Sequence, residues 1–106
     1  MVIPEMKKEV FISTGYYKNK GPIYLYQKFI SQNIQTIEFS GGKYVKNDEI
    51  KKLKLLNKDK IKIRIHNYFP VPKSKFVINL ASENDTIIKK SMTQLKKSII
   101  LAKKLN

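Results

Sequence analysis

The chain predicts an α/β fold of parallel strands, and three features of its sequence predict it. Strand-like and helix-like segments alternate from residue 9 to the end of the 106-residue sequence, an order that favours parallel strands joined by right-handed crossovers. Ile61, Ile63 and Ile65 recur at every second position, the period of a half-buried strand. Ile88, Met92, Leu95, Ile99, Ala102 and Leu105 recur at alternating steps of four and three, the period of one helix face, and this stripe is expected to pack into the core.

The elements follow in order. Residues 9–13 (EVFIS) suit a short strand, and 14–21 (TGYYKNKG) a turn-rich loop. Pro22 suits a first helical position, with Ile23, Tyr26, Phe29 and Ile30 at helical spacing and an end near Asn33. Residues 36–40 (TIEFS) form a second strand, broken by Gly41-Gly42. Asn47 or Asp48 is expected to cap a second helix carrying Ile50, Leu53 and Leu56. Residues 60–66 form the third strand, which ends in the only histidine, His66. Pro70 and Pro72 keep the loop 67–81 irregular, and Asn84 is placed to cap the last helix.

Composition narrows the function classes. Cysteine is absent, which excludes disulfides and thiolate metal sites. Pro4, Glu5, Lys7 and Lys8 break the N-terminus where a signal peptide would need an apolar core. No apolar run approaches the roughly 20 residues of a membrane span. A soluble cytoplasmic protein with no membrane partner is the expectation. The net charge of +14 points toward nucleic acid. However, Arg64 is the only arginine among 22 basic residues, whereas base-edge contacts favour the bidentate arginine fork. With 15 Ile and 8 Asn beside the lysines, the charge reads as solvated lysine on outer helix faces, and a nucleic-acid partner is not favoured.

Alternation assigns the strand faces. If Ile61, Ile63 and Ile65 lie under the helices, then Lys62, Arg64 and His66 share the other face, as do Thr36, Glu38 and Ser40. Charged side chains are costly in a plain core, so a polar face near the strand ends suits a polar ligand. A strand that ends in His and opens a loop is also how an α/β barrel presents a metal ligand or an acid/base group.

Three linked segments carry a resemblance: Ile37-Glu38-Phe39-Ser40-Gly41-Gly42, His66-Asn67-Tyr68-Phe69-Pro70, and Phe76-Val77-Ile78-Asn79-Leu80-Ala81-Ser82. Together they resemble the sugar phosphate isomerase/epimerase family of the xylose-isomerase-like TIM barrels, which also include the abasic-site endonucleases. Ser91 fits the place of a serine one or two turns inside the helix that follows the Asn-Leu-Ala-Ser segment. The resemblance spans roughly residues 9–105. It implies a partial TIM barrel of three parallel β/α units, with residues 1–106 as the N-terminal part of a single domain, because a complete barrel takes roughly 250 residues. It implies isomerisation or epimerisation of a sugar or sugar phosphate assisted by a divalent metal, with the remaining ligands and bases on later strands, so that the chain alone is expected to be inactive. The loop 70–75 between the His segment and the Asn-Leu-Ala-Ser segment is similar to the sugar-isomerase branch rather than the endonucleases.

On this resemblance His66 is the candidate metal ligand, and a strand-end His bonded to backbone is the plain alternative. Glu38 is the candidate catalytic carboxylate, orienting a sugar hydroxyl or a ligating His; the alternative is a structural ion pair with Arg64. Gly41, Gly42 and Lys43 offer backbone N–H groups and an ammonium to a phosphate, or form a simple turn. Tyr16, with Tyr17 and Lys18, lines a sugar pocket or an exposed loop. Asn67 and Tyr68 stand beside His66 as substrate contacts, while Asn79 and Ser82 are expected to bond loop backbone and cap the last helix. Two other readings stay open: a basic nucleic-acid-binding module or endonuclease-type fragment, and a fragment that self-associates through open sheet edges or joins a complementing C-terminal half.

Overall fold

A computed structural model of the chain describes residues 9–57 and 61–106. Its element order is β1 (Ile12–Ser13), α1 (Pro22–Ser31), β2 (Thr36–Phe39), α2 (Asn47–Leu56), β3 (Lys62–Ile65) and α3 (Asp85–Leu105). The three strands form one parallel sheet in the order β1-β2-β3. The protein is therefore α/β, with each strand followed by a helix. Among the described residues no helix is long and apolar enough to cross a membrane.

Strand alternation sets the core. Ile37, Phe39, Ile61 and Ile63 are buried and cluster with Leu25, Tyr26 and Phe29 of α1, Leu53 of α2 and Leu101 of α3. Phe69, just beyond β3, joins the same cluster and stacks on Phe39 with ring centroids 5.0 Å apart. Each such side chain contributes about 1.5–3 kcal/mol by leaving water. On the alternate positions Glu38 is half-buried, and Lys62 and Arg64 are exposed. The helices thus cover one face of the sheet and the polar face carries none of them, which departs from the two-sided cover usual for parallel sheets.

Several boundaries differ from the sequence expectation. The first strand pairs only at Ile12–Ser13. At Val10 the backbone carbonyl accepts from the Thr36 hydroxyl instead of joining a ladder. In α2 the N-cap is Lys46, with no side-chain cap bond, in place of the expected Asn47 or Asp48. Both of those residues fall in the first turn, where Asp48 and Glu49 complement the helix dipole. Lys60, the expected start of β3, lies outside the described residues. Asn84 does cap α3, its side chain accepting from Thr86 N at 2.9 Å.

The last helix corrects the largest expectation. Its inward face is Ser91, Gln94, Ser98, Leu101 and Leu105. Of the apolar stripe expected in the core only Leu105 lies on that face, and the rest is rotated off it: Met92 is 42% and Ile99 68% exposed, and Ile88, Leu95 and Ala102 are half-buried. The reason is the loop after β3, which runs along the helix and needs donors for its carbonyls. Gln94 Nε2 donates to Pro70 O at 2.8 Å and Asn67 O at 3.2 Å. Ser98 Oγ lies 2.7 Å from Phe69 O and 3.0 Å from Asn67 O. Ser91 Oγ accepts from Asn79 N at 2.9 Å. Satisfying these buried groups outweighs burying a further methionine and isoleucine, since an orphaned buried polar group costs about 1–3 kcal/mol.

Candidate functional site

The C-terminal ends of the three strands converge through backbone pairing. Ser13 is the register partner of Glu38, and Glu38 of Arg64, so these three form a row across the face that the helices leave uncovered. One step further along, His66 N donates to Phe39 O at 2.8 Å, which extends the ladder past β3 and sets His66 beside the end of β2. Thr14, fully buried, ties the other side of the rim: its N–H donates to Glu38 O and its Oγ1 accepts from Ser40 N, both at 2.9 Å.

His66 is exposed. Its ring stacks on Tyr68 at 6.3 Å between centroids and 17° between planes, and Tyr68 N–H approaches Nδ1 at 3.5 Å. Nε2 has no hydrogen bond among the described residues. Tyr68 is fixed in turn, because its hydroxyl accepts from Ile78 N at 2.7 Å. The Tyr68 side chain is thereby tied to the segment that Ser91 holds through Asn79 N, and it meets the imidazole through the ring contact and the long approach of its own N–H. Asn67 is exposed, and its backbone carbonyl is held by Gln94 and Ser98. Asn79 Oδ1 accepts from Ala81 N and Ser82 Oγ from Asn84 N, each at 3.0 Å, so both bond loop backbone as expected, while the cap of α3 is Asn84 and neither of these two.

Glu38 is half-buried on the open face. Although Arg64 is its register partner, the guanidinium lies over the Phe11 ring, 4.0 Å from the centroid, and among the described residues the two make no ion pair. Lys62 pairs with Glu9 instead. The Glu38 carboxylate is thus not committed to the structural ion pair that was its alternative reading.

Among the described residues, none of the remaining candidates makes a hydrogen bond or ring contact with His66. Tyr16 is 87% exposed in the β1–α1 loop, edge-on to Tyr17 at 5.2 Å. Lys43 is exposed, and its backbone N–H is engaged by Lys20 O at 3.1 Å. Gly41 and Gly42 adopt φ of +64° and +105°, and a Cβ on Gly42 would meet Lys20 O at 3.0 Å. The paired glycines therefore answer to a left-handed turn against a neighbouring backbone, and the Lys43 N–H is already spoken for.

A metal centre needs three or four donors. Among the described residues no group of three His, Cys, Asp or Glu is placed to hold one. The residues present therefore do not by themselves fit the divalent metal that the resemblance implies; His66 is a single donor.

Sequence reading missed Thr14, Gln94 and Ser98. Their signal is slight: a Ser-Thr-Gly run at a strand end, and polar residues one position off an apolar helical stripe. No protein-family model, no curated protein and no solved structure matches the chain.

Proposed function

We propose that the chain is the N-terminal part of a TIM barrel of the sugar phosphate isomerase/epimerase type, acting by proton transfer next to the carbonyl of a sugar or sugar phosphate. The observation that carries the reading is a sequential, all-parallel strand order whose helix-free face is polar and ends in His66. In a closed barrel that face is the interior, and strand C-termini form the active-site rim. On this reading His66 and Asn67 contact substrate, Tyr68 stands beside the imidazole, and Glu38, which makes no ion pair among the described residues, orients a hydroxyl. Tyr16 and Lys43 stand at the outer loops, where Lys43 meets a phosphate through its ammonium rather than its N–H. A divalent metal belongs to the family pattern, but this chain brings it one donor and no step of the proposed chemistry passes through it. The chain alone binds substrate and does not turn it over. The outer edge of β1, and that of β3 once the Asn106 side chain leaves Ile63 N and O, join a complementing β/α segment or a second copy, in a cytoplasmic setting.

The test is a titration of the isotope-labelled chain with pentose and hexose phosphates, followed by amide shifts, with inorganic phosphate as control. Saturable shifts at Glu38, Ser40 and residues 66–68 that inorganic phosphate does not reproduce support the reading. Shifts spread over the lysine-bearing helices, or none, contradict it. A second reading, a basic nucleic-acid-binding module, rests on the charge of +14. It requires labelled DNA or RNA to bind at low salt with a steep salt slope.

A further inference from the structure

A groove of about 560 Å³ runs between α2 and α3 on the outer helical layer, on the side of the sheet away from Glu38 and Arg64. Its floor is apolar, formed by Ile50, Leu55, Pro70 and Ile100 among others. Leu55 is 70% and Ile100 53% exposed, so the floor is open to solvent. Lys51 and Lys54 of α2 stand on one wall, and Lys97 and Lys104 of α3 on the other. None of the described lining residues is acidic.

We infer that this groove docks an amphipathic helix of a partner protein, with its apolar stripe on Leu55 and Ile100 and carboxylates along both flanks. Three features of the groove carry the inference. Apolar side chains offer no hydrogen bonds, so an extended segment laid on them would leave its own backbone unsatisfied, while a helix satisfies its backbone internally. Lysines on both walls match an occupant that is acidic on both flanks, and such complementarity steers encounter and fixes orientation. The concave shape between two helices suits the helix-in-groove mode, with anchors at i, i+3/i+4 and i+7, better than it suits a planar bilayer. From Lys97 to Lys104 the wall rises roughly 10 Å, so two turns of the docked helix make the contact. Lysine stems lie along apolar surface while their ammonium groups reach solvent, so the rim contributes area as well as charge.

The experiment uses the full chain and two fluorescein-labelled synthetic helices, one with leucines at that spacing and glutamates elsewhere, the other with lysines in place of the glutamates. The Glu peptide binds, with an anisotropy change that weakens as salt rises, and the Lys peptide does not. Ile100→Glu lowers affinity at least about tenfold, as loss of a central anchor does. The double change Lys54→Glu with Lys97→Glu moves the preference toward the Lys peptide. Both positions are on the surface, and circular dichroism confirms that the variants keep their helices. Equal binding of the two peptides, or undiminished binding to Ile100→Glu, overturns the inference. So does binding of decanoate or of anionic phosphatidylglycerol vesicles at this groove while the Glu peptide fails to bind. His66→Ala leaves peptide binding unchanged, which separates this result from the sugar phosphate reading.

Discussion

Ser98, inside α3, and His66, just beyond β3, meet the same loop and make opposite demands on the fold. Ser98 is 6% exposed and supplies a hydroxyl to the carbonyls that turn the chain after β3. Removing that hydroxyl strands the buried Phe69 carbonyl, while Asn67 O keeps Gln94 Nε2, so Ser98→Ala is expected to cost about 1–3 kcal/mol, read from the urea midpoint. His66 is exposed and its imidazole makes one long contact. His66→Ala is expected to leave stability within about 0.5 kcal/mol in the same denaturation series. So small an expected cost is what the proposed role of His66 as a ligand contact requires. Asn106 makes a further residue-scale contact: its side-chain amide meets Ile63 N at 3.3 Å and Ile63 O at 2.8 Å, satisfying backbone groups on the outer edge of β3. Nothing in the periodicity pointed to it, because a terminal amide reads as a cap or as nothing.

Among the elements, α3 separates what a period reveals from what it does not. The spacing gave the helix, its length and its Asn84 cap, because repeated apolar side chains and a capping residue are local signals. It did not give the inward face, because the helix turns toward the carbonyls of a loop that arrives from earlier in sequence. The difference is measurable. Leu101→Ala, at a 6% exposed position, is expected to cost about 2–5 kcal/mol, while Ile99→Ala, at 68% exposure, changes stability by no more than about 0.5 kcal/mol. Comparable losses at both sites, measured by chemical denaturation, would restore the stripe to the core. The strands show the same division. Alternation placed Ile37, Phe39 and Ile63 correctly under the helices, whereas the length of β1 depended on which carbonyl Thr36 reaches.

Viewed as a whole molecule, the protein is a slab of 49 × 41 × 23 Å, about the thickness of one sheet and one helical layer. The strand order and the chemistry of the uncovered face were legible because both follow from alternation. The gathering of site residues was not: Tyr16 and Lys43 lie on loops whose reach no local pattern encodes. The outer edge of β1 is open to pairing with another chain, whereas on the outer edge of β3 the Asn106 side chain occupies Ile63 N and O, and a partner strand there has to displace it. Sedimentation velocity across a concentration series is expected to show association that increases with loading, and a single monomer boundary throughout would remove the self-association reading. The charge of +14 draws anionic ligands of any kind, so salt dependence alone does not identify the ligand.

The most direct test of a sugar phosphate site at His66 is calorimetric titration of the chain and of His66→Ala with the sugar phosphate that gives the largest amide shifts, at an ionic strength that suppresses lysine contacts. The chain is expected to bind saturably, and the variant to bind about tenfold more weakly or worse, as the loss of one charge-assisted hydrogen bond implies. Equal affinities for chain and variant, or for sugar phosphate and inorganic phosphate, would contradict the account.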